Sequence, residues 1–355
     1  MKRALLTGGS TFAGSHILEQ LLAAQISVRA VVASREETER IQKLYPRLQP
    51  SHLDFKILIP EEATVPGAYE ECLFDQDTPF DTVIHLTPDP IEVDCLSRYI
   101  AQETEALLGL LNDVRQVATR VTKVIIITYL THFSRWLADS SATRSPIVGR
   151  RMPERTSQDD LEYVLATIVA SYNIICDSLH RWTLENKAKF DLNTIAAPNI
   201  YGPSLYPLEN LYNNQGGNGR IWDVCNISTG ELTTPFPEDF DLYIDDLANA
   251  TLEAGLSSDV QNKRFVVSAD SMLSSAAIAE VLVARFPDLA DRVERGRLPS
   301  DEGRRIETAL VLQDTQDTAS ILGIRYRSVE ETVIDVAEQM LESQRRRDRR
   351  RVIQG

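Results

Sequence analysis

Cysteine is scarce in this sequence, and long apolar runs are missing from it. Only four of the 355 residues are cysteines, and none belongs to a C-x-x-C pair or to a spacing typical of metal ligands. We therefore predict reduced thiols, no metal site and a cytoplasmic location. No stretch approaches the ~18 consecutive apolar residues of a membrane span, and no apolar segment precedes the first motif, which argues against a membrane helix and a signal peptide.

Positive charge is also in deficit. The 52 aspartates and glutamates outnumber the 37 lysines and arginines, so the formal net charge is -15. A surface this acidic repels nucleic acid and anionic membranes, and we expect neither as a partner. One basic segment departs from this trend, since six arginines surround Asp348 between Arg345 and Arg351. We interpret that segment as a solvated, frayed tail, because blocks of like charge rarely order.

Alternating strand and helix patterns run through the first two thirds of the chain. Residues 3–34 predict a strand, a glycine turn, a helix and a second strand at 28–32, which together form a βαβ unit. The same alternation continues, with strands predicted at 54–59, 81–86, 123–128 and 190–198, and helices at 95–116 and roughly 160–186. The pattern predicts an α/β protein with a Rossmann-type, doubly wound parallel sheet.

The later part of the chain changes character and predicts a smaller C-terminal α/β substrate lobe. It contains a strand at 263–269, a helix capped by Ser274 or Ser275, and a capping box of Ser328 and Glu331 before the last helix. On that last helix, one apolar face is expected to hold Val333, Val336, Ala337 and Met340. We assign residues 1–200 to the Rossmann domain with 230–260 returning to it, 201–229 and 261–342 to the lobe, and 343–355 to the tail.

The segment TGGSTFAG lies between the first strand and the first helix. Glycines in such a turn let backbone amides approach a pyrophosphate at a helix N-terminus. A threonine, Thr11, stands where a third evenly spaced glycine would fall, so its β-carbon would crowd the turn or its hydroxyl would bond a phosphate. The predicted cofactor-binding residues here are Thr7, Gly8, Gly9, Ser10, Thr11, Phe12 and Gly14.

The end of the second strand bears on which dinucleotide binds. A carboxylate there would hold a ribose 2'-hydroxyl and indicate NAD. The strand runs instead into Ala33, Ser34 and Arg35, with no acid until Glu36. Arg35 could meet a 2'-phosphate, assisted by Lys43, or could be a solvated loop arginine. We favour NADP(H) over NAD(H).

The sequence resembles the extended short-chain dehydrogenases/reductases, in particular the dihydroflavonol-reductase-like aldehyde and ketone reductases. The resemblance runs from residue 3 to about 342 and is carried by these segments: TGGSTFAGSHILEQLLAAQISVRAVVAS, ATVPGAYEECL, VIHLTPDP, IAAPNIYGP, YIDDLANATLEA, KRFVVSA and LGIRYRSVEETVIDVAEQMLE. It implies NADP(H), reduction of a carbonyl on a small or mid-sized substrate, and a monomer or homodimer.

The resemblance also implies roles for further residues. Cofactor contacts are expected from His85, Leu86, Thr87, Thr128 and Pro198. The region that caps the substrate in relatives contains Tyr201, Tyr206, Tyr212 and Trp222. Aromatic side chains there suit an apolar, polycyclic ligand, and ordinary packing within the lobe is the alternative.

The family's Ser/Tyr/Lys triad is degenerate in this sequence. Thr128-Tyr129-Leu130-Thr131 replaces the T-S-S run that carries the serine. Alignment on Trp182 without a gap places Ala170 and Ile174 at the Y-x-x-x-K positions, and a two-residue gap would place Tyr172 and Cys176 there instead. The lysine that stabilises a catalytic tyrosinate is absent in both alignments.

Other groups could supply the missing proton. We name Thr131, Tyr172 and His132 as catalytic candidates, and His180 as a further donor. Each has an alternative interpretation as a packing, loop or helix-surface residue.

Three functions follow from this pattern. The first is an NADP(H)-dependent carbonyl reductase with a non-standard proton donor, acting on an apolar specialised metabolite. The second is a non-redox cyclase, isomerase or lyase of secondary metabolism on the same scaffold. The third is a non-catalytic dinucleotide-binding protein.

Overall fold

A computed structural model describes residues 2–59, 62–88, 95–130, 158–208, 217–225, 241–268, 275–290 and 317–354. The strands are β1 (Arg3–Thr7), β2 (Ser27–Val32), β3 (Leu53–Ile57), β4 (Thr82–Leu86), β5 (Lys123–Tyr129), β6 (Asp191–Ala197), β7 (Asn199–Tyr201), β8 (Asp241–Tyr243) and β9 (Arg264–Val266). The helices are α1 (Phe12–Ala23), α2 (Arg35–Leu44), α3 (Glu70–Leu73), α4 (Leu96–Val117), α5 (Gln158–Glu185), α6 (Asn218–Cys225), α7 (Ile244–Leu256), α8 (Ser275–Arg285), α9 (317–322) and α10 (Val329–Gln354).

Seven strands form one sheet in the order β3-β2-β1-β4-β5-β6-β9, and every neighbouring pair is parallel. The strand order reverses between β1 and β4, as it does in a doubly wound sheet. The predicted fold class is therefore confirmed. One strand lies elsewhere than expected, because β9 pairs with β6 in this sheet although its residues were assigned to the second lobe.

Helices cover both faces of the sheet, which explains why its strands have continuous apolar runs. One core packs β1 and its neighbours against α1 and α7, with Ile17, Leu21 and Leu247 fully buried. The core on the other face packs against α3, α4 and α5, with Leu107 and Leu179 at its centre. Two buried layers around one sheet leave the carboxyl edge of the strands as the place where a ligand can enter.

A separate core holds the second lobe together. It is built from α6, α8 and α10, and the predicted face of α10 is buried there as expected: Val333, Val336, Ala337 and Met340. The capping box at the start of α10 is also confirmed. The Ser328 backbone N–H donates to Glu331 Oε2 over 3.0 Å, and the Glu331 N–H donates to Ser328 Oγ over 3.2 Å.

The arginine-rich tail is ordered as helix, so the prediction of a frayed end was wrong. Helix α10 continues through Arg345–Arg351 to Gln354. Arg346 pairs with Glu342 one turn earlier, and Arg347 Nη2 donates to the Leu208 carbonyl over 2.9 Å. These acceptors give the guanidinium groups partners that the sequence pattern did not reveal.

Four ion pairs, formed by two arginines and two aspartates, connect the first three strands and the segment after α3. Arg29 Nε lies 2.6 Å from Asp54 Oδ1, and its Nη2 lies 2.8 Å from Asp75 Oδ2. Arg3 contacts the same two carboxylates, and both guanidinium groups lie over the Phe80 ring.

In the part of the chain that the structure describes, no helix is long and apolar enough to cross a membrane. The four cysteines are free thiols, as predicted.

Candidate functional site

A cleft of about 630 Å³ opens at the carboxyl ends of the parallel strands. Its walls come from the ends of six strands and the segments that follow them. The lining residues are Thr7, Gly8, Ser10, Thr11, Phe12, Ala13, Val31, Val32, Ala33, Glu37, Leu58, Ala63, Tyr69, His85, Leu86, Thr87, Pro88, Tyr129, Pro198, Asn199 and Ile200. This is the position in which doubly wound proteins bind their ligands.

The glycine turn forms the floor of the cleft. Gly8 has φ +66°, a conformation that glycine adopts without strain. Its N–H donates to the Val31 carbonyl over 3.1 Å, which ties the turn to β2. A β-carbon at Gly14 would lie 1.9 Å from the Gly8 carbonyl oxygen, so only glycine lets α1 approach the turn this closely. The helix therefore begins directly behind the turn and points its free N–H groups at the cleft.

Thr11 supports the turn and does not obstruct it. Its hydroxyl donates to the Gly8 carbonyl over 2.8 Å and accepts from the Gly14 N–H over 3.0 Å. Thr11 is thus the N-cap of α1, a position that favours threonine. The crowding that the sequence suggested does not occur, because the β-carbon lies outside the turn while the hydroxyl closes it.

His85 lies at the centre of the cleft wall and is neutral. Thr7 Oγ1 accepts from the Leu86 N–H over 3.1 Å and lies 2.9 Å from His85 Nδ1. Complete burial lowers the pKa of His85 to about 4. Thr7 Oγ1 and His85 Nδ1 therefore share one hydrogen bond, in which either atom can be the donor. The His85 ring makes an edge contact with Tyr69, with centroids 5.8 Å apart.

Thr87 provides a test of whether the cleft fits a polar ligand. Its hydroxyl is buried at the carboxyl end of β4 and has no hydrogen-bond partner within the described residues. Buried hydroxyl groups in native proteins are nearly always paired. A ligand oxygen or nitrogen in the cleft would supply that partner, so Thr87 and the glycine turn both fit a dinucleotide.

The end of β2 differs from the prediction. Arg35 is 86% exposed, pairs with Glu39 across one turn of α2, and does not line the cleft. Glu37 does line it, and Glu37 Oε2 accepts from Ser10 Oγ over 2.7 Å and from the Ala33 N–H over 2.8 Å. Helix α2 begins at Arg35 with Ser34 as its N-cap, which turns Arg35 outward and Glu37 inward.

Arg40 contacts this corner of the cleft through the glycine turn. Its Nη2 donates to the Ser10 carbonyl over 2.8 Å, and its guanidinium lies 4.5 Å from the centroid of the Tyr206 ring. Tyr206, predicted to contact substrate, therefore lies beside α2 and the glycine turn. Segment 203–208 is held in place by α1 and α10, since His16 Nε2 lies 3.0 Å from the Pro203 carbonyl and Gln339 bonds Ser204 twice.

Two further substrate candidates, Tyr201 and Trp222, do not line the cleft. They are buried in the core of the second lobe, where Gly217 leaves room for the Tyr201 ring. Their burial favours the alternative interpretation, packing within the lobe. Tyr212 lies outside the described residues.

Tyr172 is the one of the three catalytic candidates that lies within the described residues, and it does not line the cleft. Tyr172 is 3% exposed and packs in the core between α5 and the sheet, and burial raises the pKa of its phenol. It does not line the cleft, so its proposed catalytic role is not supported by its position. Thr131 and His132 lie outside the described residues. Ala170 and Ile174, at the family's tyrosine and lysine positions, are exposed on α5.

The other cofactor candidates fall into three groups. Nine of them line the cleft: Thr7, Gly8, Ser10, Thr11, Phe12, His85, Leu86, Thr87 and Pro198. Gly9 and Gly14 shape the turn from behind, with a Gly9 β-carbon position 3.3 Å from Ala30. Thr128 is buried within β5 and does not reach the cleft.

Sequence reasoning missed four polar cleft residues, Glu37, Tyr69, Tyr129 and Asn199. Strand alternation contained a signal for Tyr129, since it ends β5 two residues after Ile127 and on the same face. To predict that Glu37 faces the cleft, the first residue of α2 would have to be known to within one position. Tyr69 precedes the four-residue helix α3, and no local pattern places it at the cleft.

Related proteins match almost the whole length of the chain. An uncharacterised oxidoreductase of Schizosaccharomyces pombe is 25% identical over 353 residues, which cover 96% of this chain and 97% of that protein. The ketoreductase azaE of Aspergillus niger is 26% identical over 352 residues, covering 96% of this chain and 98% of that protein. No family model matches the sequence.

A solved structure has the same architecture. Yeast methylglyoxal/isovaleraldehyde reductase Gre2, complexed with NADPH, superimposes with a TM-score of 0.71 at 16% identity, covering 97% of this chain and 99% of that chain. At this identity the likeness establishes the fold.

Proposed function

We propose that the chain is an NADP(H)-dependent oxidoreductase of the extended short-chain dehydrogenase/reductase type that reduces carbonyl compounds, which its oxidoreductase and ketoreductase relatives support. The observation that carries the proposal is the intact glycine turn, open at the head of a cleft large enough for a dinucleotide. Yeast Gre2, whose fold this chain shares, is named as a reductase and was solved with NADPH.

The residues of the cleft divide the binding work between them. The turn at Gly8 and Thr11 and the first N–H groups of α1 would hold the pyrophosphate. Thr87 Oγ1 and the His85 ring would contact the nicotinamide half of the molecule, which extends past β4. Bound NADPH would supply the hydride for reduction. Because buried His85 stays neutral above about pH 4, it adds no charge to this part of the site.

We assign the 2'-phosphate to Arg40 and not to Arg35. Arg40 is oriented by the Ser10 carbonyl and by the Tyr206 ring, whereas Arg35 is turned to solvent. Glu37, the acid of this corner, is held by the Ser10 hydroxyl and the Ala33 N–H. A phosphate would be repelled by Glu37 and attracted by Arg40, so these two residues set the preference between NADPH and NADH.

Fluorescence titration of purified variants tests this assignment. Arg40→Gln should weaken NADPH binding about tenfold or more, the range for one lost charge-assisted bond, and leave NADH binding within about twofold. Arg35→Gln is the matched control and should change neither. Equal losses of NADPH affinity in both arginine variants, or no loss in either, would contradict the assignment of the 2'-phosphate to Arg40.

The substrate is proposed to be a small or mid-sized, apolar carbonyl compound. Tyr129, Pro198 and Ile200 give the cleft an apolar surface at the ends of β5 and β6. Apolar walls with few polar groups suit such a ligand. Incubation with NADPH and isovaleraldehyde or an aromatic ketone should yield the alcohol with equimolar NADPH oxidation, and the absence of NADPH binding would end the proposal.

A non-redox reaction on the same scaffold is the second candidate. The observation that favours it is the position of α5, since Tyr172 packs in the core and no described α5 side chain lines the cleft. Conversion of a substrate without NADPH consumption would support it.

A further inference from the structure

We propose that Tyr129 is the proton donor of this enzyme, a role that rests on the proposed carbonyl reduction. Tyr129 ends β5, is half-buried, and lines the cleft together with Thr87, Pro198 and Asn199. It occupies a strand position, whereas the family's tyrosine is on a helix. The phenol of Tyr129 would therefore reach the same cleft from a different element of the fold.

The strand order places Tyr129 on the side of the cleft where hydride is delivered. The adenosine half of a dinucleotide lies over β2 and β3, and the turn after β1 holds the pyrophosphate. The other half then extends over β4, β5 and β6, which follow β1 in the sheet. Because neighbouring strands are about 4.8 Å apart, β5 lies about 10 Å beyond the turn, within the span of the nicotinamide riboside.

The other described phenols and the cleft histidine fit the role less well. Tyr172 is sealed in the core. Tyr69 lines the cleft, and its ring contacts His85 on β4, one strand short of β5. Burial first, and then Cys72, Glu103 and Asp113, raise the pKa of Tyr69 far above its ordinary value. His85 is a neutral ring at physiological pH, so it carries one proton, and its Nδ1 is occupied by the Thr7 hydroxyl.

The proton balance of the reaction is simple in the reductive direction. The carbonyl carbon gains a C–H bond from the dihydronicotinamide hydride, and the C=O π electrons move to oxygen. That oxygen takes the proton of the Tyr129 phenol, the O–H bond of which breaks, and water then reprotonates the phenolate. NADPH is oxidised, the carbonyl is reduced to an alcohol, and one solvent proton is consumed.

Tyrosine can donate without a lysine, because a phenol with a pKa near ~10 is protonated at neutral pH. The reverse reaction needs the phenolate, of which only about one part in a thousand exists at pH 7. The titratable groups that line the described cleft beside Tyr129 are His85, Tyr69 and Glu37, and no described lining residue is lysine or arginine. Alcohol oxidation, which needs the ionised phenol, should therefore become faster as the pH rises above neutral.

The test compares Tyr129→Phe with Tyr99→Phe in full-length protein, with NADPH and isovaleraldehyde. For Tyr129→Phe we expect kcat to fall about 100-fold or more, the usual loss of a general acid, with the NADPH dissociation constant within about threefold of wild type. Tyr99→Phe should keep kcat within about threefold, because Tyr99 packs in the core and does not line the cleft. The pH profile of alcohol oxidation in the wild type is recorded in parallel.

Each outcome decides the proposal. A selective kcat loss in Tyr129→Phe, with a pH-dependent reverse rate in the wild type, supports it. If Tyr129→Phe retains wild-type kcat in a working enzyme, the donor assignment is overturned and the reductase function stands. If Tyr129→Phe loses NADPH affinity in proportion to its rate, Tyr129 is a binding residue and the assignment is also overturned. If the wild type binds NADPH but reduces no carbonyl, both proposals fall.

Discussion

Replacing Gly14 by alanine is expected to abolish tight dinucleotide binding. The added β-carbon would lie 1.9 Å from the Gly8 carbonyl oxygen, whereas real contacts stay beyond 3.0 Å. The turn must therefore retreat from α1 by about 1 Å, which stretches an N–H to phosphate bond from ~2.9 Å to beyond hydrogen-bonding range. Loss of one or two such charge-assisted bonds costs about 2–4 kcal/mol, or about 30- to 1,000-fold in affinity.

The assay is NADPH fluorescence titration alongside urea unfolding. Overpacking of this kind should lower the free energy of unfolding by about 1–3 kcal/mol, so the variant is expected to remain folded at low temperature. Gly109→Ala is the control, because nothing lies within 4 Å of its β-carbon position on α4. That control should gain about 0.5–1 kcal/mol in stability and bind NADPH normally. A folded Gly14→Ala protein with wild-type affinity would refute the role of the turn.

Three stability predictions follow from other parts of the fold. Burial raises the pKa of Glu103 from 4.5 to about 7. Ionisation of this carboxyl therefore destabilises the fold as the pH rises through that window. Glu103→Gln should raise the free energy of unfolding by up to about 3 kcal/mol at about pH 8 and should not change it below about pH 4. Arg29→Leu leaves Asp54 and Asp75 with one guanidinium fewer and should cost about 3–5 kcal/mol in urea unfolding. Thr11→Ala removes the N-cap of α1 and should cost about 1 kcal/mol, with a loss below a few tenths arguing against the cap.

Hydrophobic periodicity was enough to predict the sheet. The runs at 4–6 and 123–128 are apolar on both faces because helices cover both faces, so their burial is legible in one sequence. The glycine turn could also be predicted, because Gly14 is required where α1 comes close to the turn that follows β1. Strand β9 was assigned to the wrong unit, because three residues contain no information about which sheet they join.

The cleft was less predictable than the sheet. Arg35 and Glu37 differ by two positions on α2, about 200° around the helix, so an error of one residue in the helix start exchanges an inward for an outward side chain. Tyr201 and Trp222 pack in the core of the second lobe. The sequence alone does not distinguish an aromatic residue in a core from one in a pocket. The orientation of the Arg40 side chain depends on its contact with Tyr206, which is 166 positions away in the sequence. Only the folded chain brings these two residues together.

Deuterium transfer tests the central claim most directly. The protein would be incubated with NADPH deuterated at the transferring C4 position and with isovaleraldehyde, and the alcohol would be analysed by mass spectrometry. Hydride transfer within the cleft predicts one deuterium on the carbinol carbon for each NADPH oxidised. An alcohol without deuterium, or a modified substrate with all NADPH intact, would contradict it.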